Sequence, residues 1–308
     1  MRQVWKEFDE SVEKMFRFVS GKCVALWGYD SGGWFIEHLF RRRNKQIEYI
    51  IDIKPITRAY TPYYIRRLDP KTTAILITFA PDEKVLEYLS ALGYQENVNY
   101  CCLRKLFYGE NVSLLLSYCR YLENKFEVDI TKPLQADHLL LPSEGHVHSP
   151  SVDYSLIDVL DNLEWTDGDS IFDFGCGKGE ALLLFLRKGI SIVGGIEYNN
   201  SIYQILLDNF QKLGYSTQGL MQGDAAAVTE EIDDYSYYYM YDPFEGNTFS
   251  TVIRNLENSY QRKKRNMTLI YSVPTCHEVV VKNGYFKLCK QIKTDFLDDK
   301  IVNIYRIV

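Results

Sequence analysis

Residues 171–180, IFDFGCGKGE, combine an apolar run, an acid and three glycines at alternate positions, and the helix-like run ALLLFLRKG follows them. This order predicts a strand, a tight turn and a helix. Glycine is needed in such a turn because a side chain would block the approach of a ligand to the backbone. The helix offers unpaired amide groups and the positive end of its dipole. The stretch therefore predicts a site for a nucleotide-type ligand.

The order of residues within the turn narrows the choice of ligand. A dinucleotide site has the pattern G-x-G-x-x-G, whereas this turn is D-x-G-x-G-x-G, and the carboxylate of Asp173 would repel a pyrophosphate. A phosphate-free ligand that carries an amine fits better. The strand-like stretch ISIVGGIE then ends in Glu197, whose carboxylate can accept hydrogen bonds from both hydroxyls of a ribose.

Two further acids follow predicted strands. The stretch MQGDAAAV presents Asp224 and Ala225, and YYYMYDPFEG presents Asp242, Pro243 and Phe244. Ligands of open α/β sheets bind at the carboxyl ends of the strands. The sequence therefore predicts that four strand ends converge on one site.

This succession resembles the class I S-adenosylmethionine-dependent methyltransferases over roughly residues 150–308. The resemblance implies a seven-stranded Rossmann-like α/β sheet, whose last two strands, YFKLCKQIK and KIVNIYRIV, form an antiparallel hairpin through an exposed turn at TDFLDD. It also implies the cofactor S-adenosyl-L-methionine, with its methionine part in the glycine turn, its ribose on Glu197 and its adenine amine on Asp224. Carried over by position, the cofactor-binding residues are Asp173, Gly175, Cys176, Gly177, Gly179, Glu197, Tyr198, Asp224, Ala225 and Asp242.

Two residues are candidates for catalysis, Asp242 and His277. The Asp-Pro-Phe at 242–244 is similar to the Asn/Asp-Pro-Pro-aromatic motif of amino-methyltransferases, although it has one proline instead of two, and to the Asn-Pro-Phe of methyltransferases with mixed substrates. Asp242 is expected to bind an amine, to act as a base toward a hydroxyl, or only to cap the next segment. His277 is a second candidate base, and its alternative is a structural role.

The N-terminal part shows a smaller α/β pattern. KCVALWGYDSGGWFIEHLF predicts a strand, a glycine turn and a helix, and IEYIID and TAILITFA predict two more strands of a parallel sheet. Gly28, Gly32, Gly33 and Asp52 are placed for a dinucleotide or nucleotide-sugar, but the spacing G-x-x-x-G-G also suits a mere scaffold. Residues 20–108 resemble the small Rossmann-like domains attached to sugar-modifying and polysaccharide-assembly enzymes.

We therefore expect three parts: a small Rossmann-like α/β domain at residues 1–120, a connecting helix and loop at 121–150, and a methyltransferase domain at 151–308. The connecting loop, DITKPLQADHLLLPSEGHVHSPS, lacks periodicity, and we expect it to cover the site. His146 and His148 lie within it without an accompanying Cys, Asp or Glu motif, so no metal is predicted.

Charge narrows the range of acceptors. The chain has 308 residues and a formal net charge of −6, which disfavours a long phosphate backbone as partner. The basic runs at 41–43 and 262–265 are expected at helix ends, where the dipole favours them, and not in a phosphate site. We expect a small-molecule acceptor, specifically a sugar or nucleotide-linked sugar in glycan assembly. The alternatives are methylation of a protein, on lysine or another side chain, and a cofactor-sensing module without catalysis.

Cysteine usage and hydropathy indicate a cytoplasmic protein. Seven cysteines are scattered without a C-x-x-C pair, which predicts neither disulfides nor a zinc site. Cys176 is expected to line the ligand pocket as a small residue and not to react as a thiol. The first residues carry charges throughout, and no run reaches about 18 apolar residues, so neither a secretory signal nor a membrane anchor is predicted.

Overall fold

The computed structural model describes residues 3–54, 56, 58–133, 144–146, 153–294 and 301–307. The chain divides between Glu127 and Val128 into two compact units. No helix within the described ranges is long and apolar enough to cross a bilayer.

The first unit is a parallel sheet with flanking helices. Its strands are β1 Cys23–Trp27, β2 Tyr49–Ile51, β3 Ala59–Tyr60, β4 Thr73–Ile77 and β5 Tyr100–Cys102. Its helices are α1 Lys6–Phe18, α2 Ser31–Arg42, α3 Glu83–Ala91, α4 Leu103–Tyr108 and α5 Tyr118–Phe126, with a 3₁₀ helix at Pro62–Arg67. The strand order is β3-β2-β1-β4-β5, and all pairs are parallel. The smaller Rossmann-like α/β fold predicted for this part is confirmed.

Aromatic packing fixes where the first unit ends. The ring of Tyr118 lies 5.2 Å from that of Phe8 in α1 and 5.0 Å from that of Phe35 in α2. All three residues are buried. Because α5 buries this face against α1 and α2, the whole helix belongs to the first unit, which therefore extends past residue 120.

The second unit contains the predicted seven-stranded sheet. Its strands are β6 Ser170–Phe174, β7 Ile192–Glu197, β8 Leu220–Gln222, β9 Tyr237–Tyr241, β10 Thr268–Ser272, β11 Phe286–Lys293 and β12 Ile301–Ile307. Its helices are α6 Asp153–Asp161, α7 Glu180–Lys188, α8 Asn200–Lys212, α9 Gly246–Arg262 and α10 His277–Val281, with 3₁₀ turns at Ala225–Ala227 and Glu230–Ile232.

The strand order β11-β12-β10-β9-β6-β7-β8 is parallel except for β12, which runs antiparallel to β10 and β11. This confirms the Rossmann-like methyltransferase sheet expected from the sequence. The chain moves outward from β6 through β7 to β8 and then returns to β9 on the other side of β6. Ligands of open α/β sheets bind at such a reversal. The predicted turn at TDFLDD lies, from residue 295 onward, outside the described residues.

The two basic runs fall at helix ends. Arg41 and Arg42 form the last turn of α2, and Arg262 ends α9. Arg262 pairs with Asp233 at 2.8 Å, and the guanidinium of Arg265 donates to the backbone carbonyl of Tyr235 at 2.7 Å. In the second run, these contacts engage Arg262 and Arg265 within their own unit.

Candidate active site

The glycine turn joins β6 to α7 in a conformation that requires glycine. Gly175, Gly177 and Gly179 have φ angles of 83°, 53° and 92°, in the left-handed region that disfavours residues with a Cβ. A Cβ on Gly175 would also lie 2.8 Å from the Cβ of Pro243. The turn therefore packs directly against the Asp-Pro-Phe segment that follows β9.

The helix after this turn begins without a side-chain cap. Gly179 is the N-cap residue of α7. The corresponding turn of the first unit differs, because the carboxylate of Asp30 accepts hydrogen bonds from the amides of Gly32 at 2.9 Å and Gly33 at 3.4 Å. The protein's own carboxylate thus occupies the end of α2 where a phosphate would bind.

The predicted Asp52 also has a structural role. One carboxylate oxygen accepts from the amide of Tyr29 at 2.6 Å, and the other accepts from the amide of Lys54 at 2.7 Å. A Cβ on Gly28 would lie 2.4 Å from the hydroxyl oxygen of Thr78. In the first unit, Gly28 and Asp52 therefore hold the turn against its neighbouring strands.

Two buried carboxylates lie beside the glycine turn of the second unit. Asp173 is 3% exposed, and burial, with Glu197 nearby, raises the pKa of its carboxyl well above the usual range. Its carboxylate has no hydrogen-bond partner in the described part of the chain. Glu197 accepts from the amides of Gly177 at 3.0 Å and Asn199 at 2.7 Å. Burial raises the pKa of Glu197, while these backbone amides oppose the rise.

The end of β8 lies next to that of β7. The amide of Gly223 donates to the backbone carbonyl of Glu197 at 3.0 Å. Asp224 is exposed and begins the 3₁₀ turn that contains the half-buried Ala225. The side chain of Tyr198 is 47% exposed. The structure thus places the acids predicted for ribose and adenine at neighbouring strand ends.

Cys176 is buried within the turn. Burial, followed by the charges of Asp173 and Glu197, raises the pKa of its thiol well above the usual range. A protonated thiol is a weak nucleophile. A Cβ on Gly195 would lie 2.9 Å from that of Cys176, so the thiol fills space against β7.

Asp242 follows β9 and has φ of 41°, an uncommon conformation for a residue other than glycine. One of its carboxylate oxygens accepts from the hydroxyl of Thr275 at 2.6 Å. The other lies 3.3 Å from Nδ1 of His146. Asp242 thus joins the end of β9 to the segment after β10 and to the loop that precedes α6.

The structure places the ring of His277 against β12. Its Nδ1 lies 2.8 Å from the hydroxyl of Tyr305 on β12, and the two rings stack with centroids 5.7 Å apart. Tyr305 also accepts from the side-chain amide of Asn303 at 2.8 Å. Among the contacts of the described residues, none joins His277 to Asp242.

Sequence reasoning missed the contacts of Lys178, which lies inside the glycine turn and is 1% exposed. Its Nζ donates to the carboxylate of Asp129 at 2.7 Å and to the backbone carbonyl of Lys132 at 2.9 Å. Asn209 of α8 donates to the backbone carbonyls of Asp129 and Lys178 at 2.8 and 3.1 Å. These hydrogen bonds hold residues 129–132, at the start of the second unit, against the glycine turn.

Sequence reasoning also missed the position of His146. Gly145 forms an antiparallel bridge with Phe244, and the amide of His146 donates to the carbonyl of Pro243 at 3.0 Å. Within the described ranges, no group of three or more His, Cys, Asp or Glu residues is positioned to hold a metal ion. His148 and most of the predicted covering loop lie outside those ranges.

Comparison with known proteins identifies similar folds only. No family model matches the chain, and no curated protein matches it. The glycopeptide N-methyltransferase MtfA complexed with sinefungin is 10% identical with a TM-score of 0.42, over 55% of this chain and 98% of that one. The methyltransferase domain of bacterial CtHen1-CN is 14% identical with a TM-score of 0.41, over 49% and 97%. A SAM-dependent methyltransferase from Aquifex aeolicus is 14% identical with a TM-score of 0.38, over 50% and 89%. Similarity at these identities and TM-scores supports no conclusion about activity.

Proposed function

We propose that the second unit binds S-adenosyl-L-methionine and transfers its methyl group to a small acceptor. The observation that supports this proposal is the state of Asp173. Its carboxylate is buried without a partner among the described residues, and Glu197 is close enough to raise its pKa. A cationic ligand stabilises such a pair of acids, and this cofactor carries an ammonium and a sulfonium. A pyrophosphate would add negative charge instead, which disfavours a dinucleotide.

The other residues of the site offer groups that can contact the remaining parts of the cofactor. We assign the methionine part to Gly175, the exposed glycine of the turn, and to the start of α7, which no side chain caps. Each carboxylate oxygen of Glu197 accepts one amide and keeps capacity for a ribose hydroxyl. We assign the adenine end to Asp224 and Ala225, with Tyr198 beside the ribose.

The chain's own residues then have two tasks. S-adenosyl-L-methionine supplies an electrophilic methyl group, so a metal or a covalent intermediate is not needed. The protein must hold the acceptor in line with that group and exclude water. Asp242 stands at the strand end next to β6, and we assign it to the acceptor side of the site.

For the acceptor we propose a sugar or nucleotide-linked sugar in glycan assembly. Two observations support a small molecule over nucleic acid: the net charge of −6 and the use of the second basic run in contacts within its own unit. The sugar class rests on the resemblance of the first unit to domains attached to sugar-modifying enzymes. Protein methylation is the competing outcome, because an acidic surface attracts basic polypeptides.

The test is to incubate the protein with methyl-labelled S-adenosyl-L-methionine and a cell extract, and then to separate small molecules, protein and RNA. We expect label in the small-molecule fraction. The Asp242→Asn variant should no longer transfer label to small molecules, while it still binds S-adenosylhomocysteine. The control is Asp234→Asn, which changes an exposed acid paired with Lys263 and should leave the transfer intact. Label confined to protein or RNA contradicts the acceptor class. Cofactor binding without label in any fraction indicates a sensing module.

A further inference from the structure

We propose that His146 is the general base that removes the proton from the methyl acceptor, with Asp242 as its positioning residue. This inference rests on the proposed methyl transfer and goes beyond it by assigning the proton.

The hydrogen bonds of His146 fix its tautomer. Nδ1 lies 2.7 Å from the backbone carbonyl oxygen of Asp242. A carbonyl oxygen can only accept, so Nδ1 carries the hydrogen. In the neutral ring Nε2 then holds a lone pair. No partner of Nε2 occurs in the described part of the chain, and the side chain is 34% exposed.

The backbone from Glu144 to His146 is held in place. The amide of His146 donates to the carbonyl of Pro243 at 3.0 Å, and the amide of Glu245 donates to the carbonyl of Glu144 at 3.0 Å. The carboxylate of Glu144 in turn accepts from the amide of Thr248 at 2.7 Å and from its hydroxyl at 2.8 Å. This anchoring at the end of β9 limits how far Nε2 can move.

The carboxylate of Asp242 stabilises the ring after it gains a proton. Its Oδ2 lies 3.3 Å from Nδ1, and its Oδ1 is engaged by the hydroxyl of Thr275 at 2.6 Å. An acid beside Nδ1 orients an imidazole and stabilises the imidazolium. Asp242 thus acts through His146, which leaves the ring as the group that meets the acceptor.

The location matches the proposed reaction. Pro243, next to Asp242, packs against Gly175 of the glycine turn, so His146 lies at the same sheet edge as the cofactor residues. In the balanced step, a lone pair of the acceptor forms a bond to the methyl carbon, the bond from that carbon to sulfur breaks with its electron pair left on sulfur, and the acceptor's proton passes to Nε2. The imidazolium later releases that proton to water.

The tautomer can be measured without knowing the acceptor. Long-range proton–nitrogen NMR of the full chain, with the signals of its five histidines and the His146→Asn spectrum for assignment, should show His146 as the Nδ1–H form. An Nε2–H form, or fast averaging of the two, overturns the proposal.

His146→Asn is the matched variant for activity, because its side-chain amide can still donate to the carbonyl of Asp242 while Nε2 is absent. With labelled cofactor and heat-treated extract, we expect the initial rate of labelling to fall about 10²–10⁴-fold. S-adenosylhomocysteine affinity should stay within about twofold, since ligand contacts remain. Added imidazole should restore part of the rate in a His146→Gly variant.

The outcomes separate the two proposals. An unchanged rate, a loss that imidazole cannot restore, or a loss that occurs in His277→Asn but not in His146→Asn overturns the role of His146 and leaves methyl transfer standing. Wild-type protein that binds no S-adenosylhomocysteine and transfers no label overturns the proposed function, and the base role falls with it even if the tautomer is as expected.

Discussion

Lys178 Nζ lies 2.7 Å from the carboxylate of Asp129, although Lys178 belongs to the glycine turn and is 1% exposed. In the different glycine turn called the P-loop, the lysine meets a ligand phosphate. Here the anion is supplied by the chain itself, and the pair ties the first residues of the second unit to its central turn.

This pair predicts an asymmetric effect on stability. Asp129→Asn leaves a buried ammonium without its counter-ion and should lower the free energy of unfolding by about 1–3 kcal/mol. Lys178→Met should cost less, because the side chain of Asp129 is 36% exposed and water can solvate it. Asp208→Asn, which breaks an exposed pair, serves as the control. Urea unfolding measures the free energy of unfolding of each variant. Equal losses for Asp129→Asn and Lys178→Met would refute the predicted order.

The glycine turn predicts a difference between two glycines with similar backbones. Gly175 and Gly189 have φ of 83° and 107°, but a Cβ on Gly189 meets nothing within 4 Å, whereas one on Gly175 meets Pro243 at 2.8 Å. Replacement by alanine should destabilise both by about 1–2 kcal/mol. Only Gly175→Ala should weaken S-adenosylhomocysteine binding, because it displaces the segment that carries Asp242. Equal affinities in the two variants would contradict the proposed site.

Asp173 predicts that cofactor binding releases protons. Its raised pKa means that the free protein keeps this proton above the usual value of about 3.9, and a bound cation lowers the pKa again. Calorimetry of S-adenosylhomocysteine in buffers of different ionisation enthalpy, at a pH between the two values, should show the release. Asp173→Asn should reduce it. Proton uptake, or no dependence on buffer at any pH, would count against a cationic ligand at Asp173.

The same shift predicts how the stability of the free protein depends on pH. Because the pKa of Asp173 is higher in the folded than in the unfolded state, the folded state binds more protons over the interval between them. The free energy of unfolding should therefore decrease as the pH rises from about 4 through the raised value. Asp173→Asn should flatten this slope, which pH-dependent urea unfolding measures. A slope that is unchanged in the variant would show that other groups cause it.

The sequence predicted the elements with strong local patterns. The central strand, turn and helix around Gly175 were readable because glycine spacing and an apolar run are local signals. The strands Ala59–Tyr60 and Tyr100–Cys102 of the first unit were missed. Two residues show no period, and Tyr100–Cys102 runs directly into the helix that begins at Leu103.

Contacts across long separations in the chain were beyond sequence reasoning. Asp129 and Lys178 are 49 residues apart, and His146 and Asp242 are 96 apart. Neither pair has a local pattern, because one member of each, Asp129 or His146, lies outside the helices and strands and meets its partner only in the folded chain. For His277 the sequence left a base role and a structural role open, and the fold adds a contact with Tyr305 on β12 that the sequence does not indicate.

The central claim is that the turn around Gly175 and the acids Asp173 and Glu197 bind S-adenosyl-L-methionine. Isothermal titration of the full chain with S-adenosyl-L-methionine, S-adenosylhomocysteine and NAD tests it most directly. We predict that both adenosyl ligands bind and that NAD neither binds nor competes. Glu197→Ala should weaken binding of the adenosyl ligands by about 1.5–3 kcal/mol for each charged hydrogen bond lost. Tighter binding of NAD than of either adenosyl ligand would contradict it.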